Sequence, residues 1–181
     1  MLFAHDTECS LVAAAAVVNT AGRDGELLPD VAALDAFFVR HSYSGRHDRT
    51  DAELRAVQRL RPGLRRIWHA EPPEVVAIVN GLLQEHRALP QLIEHDDEPY
   101  HLHAVPRDAP LATRIAVEAA MAVADLVRMG ELRRLRICEY PDCDNVVVDL
   151  SRNRSRRFCE AGCGNRAAVT AYRARRAAGR S

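Results

Sequence analysis

Apolar residues recur at helical spacing along most of the first 130 residues, with short polar or glycine-containing breaks between the repeats. Residues 10–20, SLVAAAAVVNT, predict a first helix, and Gly22 and Gly25 predict where it ends. Asp30 is a residue type that caps helices, and the segment VAALDAFFVRH after it has the period of a second helix. The segment SYSGRHDR is predicted to be a loop.

A third helix is predicted from Thr50, because Thr50 and Glu53 have the spacing of a capping box. In that motif each side chain accepts a hydrogen bond from the backbone amide of the other residue. Apolar residues then follow at close to helical period, at Leu54, Val57, Leu60 and Leu64. Pro62 lies inside this pattern and predicts a kink or a split. Residues 74–87, EVVAIVNGLLQEHR, predict a fourth helix.

The period changes after residue 87. QLIEH (91–95) and PYHLHAV (99–105) have the pattern of two short strands around an Asp-Asp-Glu turn. Pro110 can begin a long, mainly apolar helix, LATRIAVEAAMAVADLVRM, which we expect to be the central helix of the core. Residues 1–130 are therefore predicted to form a mainly helical domain with one β-hairpin.

The pattern differs again in residues 131–181. LRRLRIC predicts a short strand that leads into a cysteine, NVVVDL (145–150) a second strand, and RRFC (156–159) a third. From Gly164 the segment GNRAAVTAYRARRAA predicts a helix that ends near Gly179. The predicted fold class is thus α+β, with a helical domain at 1–130 and a small separate module at 131–181.

Four of the five cysteines lie in this module as two closely spaced pairs: Cys138 with Cys143, and Cys159 with Cys163. Zinc prefers four tetrahedral ligands, and two such pairs supply them with little ordering of the chain. A knuckle, a hairpin and a helix that begins at the last cysteine predict a treble-clef-like zinc module. With four protein ligands the metal would be structural rather than catalytic. Two disulfides, redox chemistry and buried unligated thiols are the alternatives.

Other candidate chemistry is sparse. Cys9 is distant from the other cysteines and is expected to be a small buried residue. The chain has no phosphate-binding glycine loop, nucleophile elbow or HExxH motif, so we do not predict an enzyme. No apolar run reaches membrane-spanning length, and no basic region precedes an apolar core at the N-terminus. We therefore expect a cytoplasmic protein without a membrane partner.

Charge is unevenly distributed along the chain. Residues 131–181 carry 12 arginines and 6 acidic residues, a net charge of +6, whereas residues 1–130 carry 13 arginines and 19 acidic residues, a net charge of −6. This asymmetry predicts an anionic partner for the module, or alternatively charge complementarity within the chain. All 25 basic residues are arginine, which together with the high alanine content indicates a GC-rich genome. Arginine density alone is therefore weak support for nucleic-acid binding.

The stretch RICEYPDCDNVVVDLSRNRSRRFCEAGCGNRAAVTAYRARR resembles the CGNR zinc-finger family, named for the motif that stands here at residues 163–166. The resemblance includes both cysteine pairs, the D-x-S-R-N stretch at 149–153 and the arginine-rich run. VVNT near the start, PYHLH before a long helix, and that helix running into the finger resemble the ABATE-type domain that accompanies this finger. Together these features cover nearly the whole chain.

The resemblance implies a bacterial, zinc-binding regulator of transcription, of a family with some stress-induced members. It implies that one structural Zn²⁺ is bound by Cys138, Cys143, Cys159 and Cys163. The chain departs from the family at Val147-Val148 and Phe158, where an aromatic pair and a tryptophan are common; these apolar changes should leave the fold intact. It also has Ala167-Ala168 where a lysine is common, which lowers the local charge.

The candidate nucleic-acid contacts lie on the loop before the third cysteine and on one face of the last helix. They are Arg152, Asn153, Arg154, Arg156 and Arg157 on the loop, and Arg166, Arg173 and Arg176 on the helix. Guanidinium groups suit phosphates and guanine edges. Asn165 is expected to cap the helix or to donate to a thiolate.

The predicted function is a transcription regulator that contacts DNA through its zinc module. Its N-terminal domain would sense a small-molecule ligand or mediate assembly, for example as a homodimer. One alternative is a zinc-stabilised interaction module that docks its basic helix on an acidic protein. RNA in place of DNA is a second alternative, and an enzyme in the N-terminal domain is a weaker third.

Overall fold

The structure is a computed structural model and describes residues 3–22, 25–95 and 98–178. Within these residues the N-terminal part consists mainly of helices: α1 (His5–Asn19), α2 (Val31–Arg40), α3 (Asp51–His69), α4 (Pro72–Glu85) and α5 (Leu111–Arg128). These helices lie where the periodicity predicts them, although α1 begins at His5 rather than at Ser10. Asp30 caps α2 as predicted, because its side chain accepts a hydrogen bond from the amide of Ala33 at 2.8 Å.

The described strands form three antiparallel pairs: β1 (Ala21–Gly22) with β2 (Gly25–Glu26), β3 (Gln91–His95) with β4 (Glu98–His103), and β5 (Leu135–Ile137) with β6 (Val146–Val148). The predicted hairpin near residue 95 is therefore confirmed, while Asp96 and Asp97 of its predicted turn lie outside the described residues. A 3-10 turn, Leu132–Arg134, leads from α5 into β5. The last helix, α6, spans Cys163–Ala178.

Helix α5 is the central helix of the core, as its apolar sequence predicts. Ile115, Val123 and Leu126 on this helix are fully or almost fully buried. α1 packs along α5, and both helices bury several alanines, whose small side chains permit a close approach. α3 and α4 also pack against α5, so the core is enclosed by helices.

Helix α3 continues through Pro62, so of the two predicted effects the split does not occur, and apolar residues on both sides of the proline are buried in the same core. Only half of the predicted capping box forms: the Thr50 hydroxyl accepts from the amide of Glu53 at 3.2 Å. The Glu53 carboxylate instead accepts from the amides of Asp48 and Arg49 and contacts His47 Nδ1 at 2.8 Å.

The third strand predicted at 156–159 is wrong. Its one described backbone pairing is the bond from the amide of Glu139 to the carbonyl of Arg157, at 2.9 Å. The amides of Ser155 and Arg156 donate instead to side-chain oxygens of Ser151 and Asp149, each at 2.9 Å. Because these amides are engaged by side chains, the segment forms a loop rather than extending the β5–β6 pair.

Strand β6 is buried on both faces. Val146 and Val148 belong to the core of the helical domain, whereas Val147 packs with the four clustered cysteines. Alternate residues of a strand point to opposite sides, so these three valines face two different cores. The two parts of the sequence that meet near residue 130 therefore share a core and do not pack as separate units.

Polar groups of the helical domain bind the edge of β6. The side-chain amide of Asn19 donates from Nδ2 to the carbonyl of Val146 at 2.9 Å. Its Oδ1 accepts from the backbone amide of Val146 at 2.8 Å. Trp68 Nε1 donates to the carbonyl of Val147 at 3.1 Å, and Arg65 donates to the carbonyl of Asp144 at 2.7 Å. These bonds fix the module on the ends of α1 and α3.

Cys9 is exposed rather than buried, and its Sγ lies 3.5 Å from Nε2 of His5, one turn earlier on α1.

Across the part of the chain that the structure describes, no helix combines the length and apolarity needed to cross a bilayer.

Candidate metal centre and nucleic-acid interface

Four secondary-structure boundaries bring the four cysteine thiols together. Cys138 follows β5, Cys143 comes shortly before β6, Cys159 ends the loop after β6, and Cys163 is the first residue of α6. All four side chains are buried, and their Sγ atoms lie within 4.8 Å of one another. Cys143 and Cys159 Sγ are 3.8 Å apart, and Cys159 and Cys163 Sγ are 3.5 Å apart.

The arrangement fits one tetrahedral zinc ion. With Zn–S bonds of about 2.3 Å, the edges of a ZnS₄ tetrahedron are about 3.8 Å long, close to the two Sγ separations above. None of the cysteines forms a disulfide. Four thiolates would fill the coordination sphere, so the ion stabilises the fold and leaves no open position for a substrate. Gly162, with φ of +75°, makes the turn before Cys163 in a conformation that glycine favours.

Polar groups next to the thiols support this assignment. Arg166 Nη2 donates to Cys163 Sγ at 3.0 Å, and its guanidinium lies 5.3 Å from the centre of the Tyr140 ring. Asn145 Nδ2 donates to Cys159 Sγ at 3.5 Å, and the amide of Cys159 points at Cys138 Sγ at 3.4 Å. Such donors stabilise thiolate charge and orient metal ligands.

The sequence did not single out Asn145 or Tyr140, and it proposed Asn165 for the donor role. Asn165 is exposed on the first turn of α6, whereas Asn145 is buried. The signal that could have found Asn145 is its place two residues after a ligand and directly before β6.

The thiol environments differ from one another. Burial raises the pKa of Cys143 to about 12. Burial also disfavours the thiolate of Cys159, but hydrogen bonds from the Ala161 backbone and the Asn145 side chain outweigh it and lower the pKa of Cys159. A metal that binds all four sulfurs must therefore displace protons, which makes metal affinity pH-dependent.

Asp149, which is fully buried, organises the loop at 151–157. Its Oδ1 accepts from the amide and the hydroxyl of Ser151, at 2.9 Å and 2.5 Å, and its Oδ2 accepts from the amide of Arg156. Burial opposes ionisation of this carboxyl, but the bonds from Ser151 and Arg156 and the charge of Arg136 together outweigh it and lower the pKa of Asp149. The Asp-x-Ser part of the motif thus acts as the internal frame of the loop.

Two arginines that the sequence did not single out complete this frame. Arg134, 2 % exposed, donates to the carbonyls of Asp149 and Ser151 at 2.8 Å and 3.0 Å. Arg136 donates to the carbonyls of Arg154 and Arg156 at 3.3 Å and 3.2 Å. Both lie on the strand approach to Cys138, where the sequence alone could not separate framework cations from surface cations.

Acidic residues bind three of the predicted nucleic-acid contacts on the loop. The closest contacts are 2.6 Å for Arg154–Glu131, 2.9 Å for Arg156–Glu160 and 2.6 Å for Arg157–Glu139. Hydrogen bonding from Arg154 lowers the pKa of Glu131 to about 2, so that carboxylate is ionised throughout the neutral range. The other two loop candidates, Arg152 and Asn153, are exposed.

Helix α6 is exposed at every residue from Ala168 to Ala178. Arg173 and Arg176 therefore lie on its surface, and Arg176 lies 5.9 Å from the centre of the Tyr172 ring. Arg166, on the first turn, is only partly exposed because it packs on the metal site. The predicted stripe of three arginines thus contains one framework residue and two surface residues.

Comparison with protein-family models matches residues 11–130 to the ABATE family, described as "Putative stress-induced transcription regulator". The chain belongs to the ABATE family. A second model, the CGNR zinc finger, matches residues 134–176. None of the curated proteins matches the chain.

These matches confirm the predicted architecture, an ABATE domain followed by a CGNR zinc finger, and with the clustered thiols they support one structural zinc ion. Both family descriptions are of a regulatory or zinc-finger kind. The geometry also gives a physical meaning to the CGNR motif in this ABATE protein. Its cysteine begins α6 at the thiol cluster, and its arginine donates to that same cysteine.

Proposed function

We propose that this ABATE protein regulates transcription by binding DNA through its zinc finger, with Cys138, Cys143, Cys159 and Cys163 as the zinc ligands. The observation that carries the proposal is the position of α6. The helix starts at a buried thiol cluster and then exposes an arginine-bearing surface, as a helix anchored for contact with a polyanion would. The net charge of +6 in residues 131–181 also favours binding to a polyanion.

The candidate DNA contacts form two groups, according to whether the side chain already pairs with an acidic residue. Arg152, Asn153, Arg173 and Arg176 are exposed, and we assign them as the primary contacts. Arg154, Arg156 and Arg157 form surface ion pairs, which are weak in water and can exchange a carboxylate for a phosphate. Arg166 is assigned to the metal site and not to DNA.

The test is DNA binding by the zinc-loaded full chain to genomic fragments, measured against salt concentration. Three phosphate contacts from Arg152, Arg173 and Arg176 predict a log–log slope of about −3, while all six surface arginines predict about −5. Changing Arg173 and Arg176 together to alanine should weaken binding at least about tenfold at low salt.

Arg175→Ala is the matched control, because it removes the same charge from the same helix. At 100° per residue, Arg175 lies about 100° or more around the helix from Arg176 and Arg173. It should therefore change affinity less than either neighbour. Absence of binding to any DNA at low ionic strength would refute the proposal, and equal losses for Arg175→Ala and Arg173→Ala would refute the assigned face.

One observation favours a second candidate, a module that docks on another protein. Val169 and Tyr172 are 48 % and 53 % exposed and lie on the same side of α6 as Arg173 and Arg176. Apolar and cationic side chains together suit an acidic protein surface with an apolar centre. This candidate predicts no DNA binding in the salt series above. A homodimer stays a prediction.

A further inference from the structure

A cavity of about 270 Å³ lies in the ABATE domain, away from the thiol cluster. Its walls come from the first half of α1, the second half of α5, the end of α4 and strand β4, with Leu83, Leu102 and Met121 among the apolar side chains. The volume corresponds to roughly nine water-sized groups, which is smaller than most drug-binding pockets. It would hold one ring with a short substituent.

Charged residues line part of this cavity, and their partners differ. Asp125 is satisfied, because it accepts from the Thr7 hydroxyl at 2.9 Å and from Arg128 at 3.3 Å. Asp6 accepts from the amide of Thr7 at 2.8 Å. Together with Glu118 the lining has three carboxylates and one guanidinium, so the cavity favours a cation over an anion.

Glu118 is the third carboxylate of the cavity lining, and its partners differ from those of Asp6 and Asp125. Among the described residues it makes no hydrogen bond, and burial raises its pKa to about 7, an effect that the charges of Arg114 and His101 only partly offset. Arg114 directs its own donors to the carbonyls of Ser44, Arg46 and Ala109. The buried Tyr43 hydroxyl is a further ionisable group close to this carboxyl. A carboxyl held in an apolar wall without a donor costs stability, which is typical of a binding site.

We propose that this cavity binds a small apolar amine, with the Glu118 carboxylate as the counter-ion of its ammonium group. The apolar walls receive the ring or chain of the amine, and the ammonium supplies the donor that Glu118 lacks. The inference deepens the proposed regulatory function by naming the ligand class of the sensing domain, and it rests on that function only for its biological meaning.

Helix α1 connects the cavity with the zinc finger. Asp6, Thr7 and Ser10 on its first half line the cavity, and Asn19 at its end holds strand β6. An amine that shifts α1 would therefore act directly on the module that we assign to DNA.

The experiment uses the zinc-loaded full chain with ¹³C-methyl methionine and three probes of similar size: benzylamine, benzyl alcohol and benzoate. Met121 lines the cavity, while Met129 is 56 % exposed outside it and serves as an internal control. Benzylamine should shift the Met121 methyl signal saturably and leave Met129 unchanged. Benzyl alcohol should bind at least tenfold more weakly, and benzoate should not bind.

Variants test the role of Glu118. Glu118→Gln should weaken the affinity for benzylamine at least tenfold and leave the affinity for benzyl alcohol unchanged. Glu85 is an exposed acid on α4, and Glu85→Gln should change neither affinity. Ala124→Leu, which fills the cavity, should abolish the Met121 shift while zinc content and circular dichroism show a folded protein. Affinity for benzylamine should also fall as the pH drops below 7, by up to about tenfold per unit, because Glu118 must lose its proton to bind.

Three results would overturn the proposal: no Met121 shift with benzylamine at millimolar concentration, equal affinity for benzoate, or equal affinity in Glu118→Gln. Because amine binding is measured without nucleic acid, its failure would leave DNA binding untouched. Failure of the DNA experiment would likewise leave the cavity result standing.

Discussion

At the scale of single residues, arginines of the same chemistry have different tasks in this protein. Arg134 and Arg136 bind carbonyls inside the loop, Arg154 is bound by Glu131, and Arg173 is exposed to solvent. Arg166 is unlike all of these, because it combines a thiol hydrogen bond with the face of an aromatic ring. Position in the fold, and not residue type, decides which of them can meet a partner.

Arg166→Lys should weaken zinc binding about 10- to 100-fold. Lysine keeps the positive charge but lacks the planar fork that can lie on Tyr140 while donating to Cys163. Competition with a chromogenic chelator measures the loss, and Arg173→Lys on the exposed part of α6 is the control that should keep full affinity. Equal zinc affinity in Arg166→Lys would show that Arg166 contributes charge alone.

At the scale of elements, β6 joins the two parts of the chain. Its three valines face two cores, and its edge is bound by Asn19 at the end of α1. The side-chain amide of Asn19 offers the donor and acceptor that a neighbouring strand would offer. A short strand at an open edge is thereby completed without a further strand.

Asn19→Ala should lower the free energy of unfolding by about 1–3 kcal/mol, because the amide and carbonyl of Val146 lose their partner in a largely buried place. Urea denaturation of the zinc-loaded protein measures the change. Asn80→Ala, on the exposed side of α4, is the control, because it makes the same change in helix propensity without removing a partner of Val146. It should not lower the free energy of unfolding. A stability of Asn19→Ala equal to that of the parent would contradict the proposed role.

At the scale of the whole molecule, the metal centre and the helical core share one strand. Loss of zinc would free Cys138 and Cys163, and would also loosen Val146 and Val148, which belong to the core of the ABATE domain. Stability of the helical domain should therefore depend on a metal that lies outside its sequence boundaries.

Zinc removal by a chelator should lower the midpoint of thermal unfolding of the whole protein by at least about 10 °C. It should also change the fluorescence of Trp68, the chain's single tryptophan, because the indole N–H donates to Val147. Added zinc should restore both signals. Cys143→Ser should reproduce the effect of the chelator, whereas Cys9→Ser should not, since Cys9 is exposed on α1. Unchanged Trp68 emission in zinc-free protein would show that the two parts are independent.

Local patterns in the sequence determined most elements of this fold. Helical periods, the Asp30 cap and the spacing of the four cysteines depend on residues close together in the chain, so they predicted the helices, the hairpin and the thiol cluster. The motif at 163–166 further identified the zinc-finger family, which the family comparison confirms. The same local reasoning failed at 156–159, where the side chain of Asp149 accepts from the amide of Arg156, which begins the predicted third strand.

Only the tertiary structure decided which polar groups meet. Asn19 and Val146 are 127 residues apart, and Arg154 and Glu131 are 23 apart, so no periodicity in the chain reports their pairing. The cavity around Glu118 likewise forms where α1, α4, β4 and α5 come together, so the sequence of no single one of these elements predicts it. The physical reason is that backbone propensity acts between near neighbours, whereas charge pairing and cavity formation depend on which distant segments the core brings into contact.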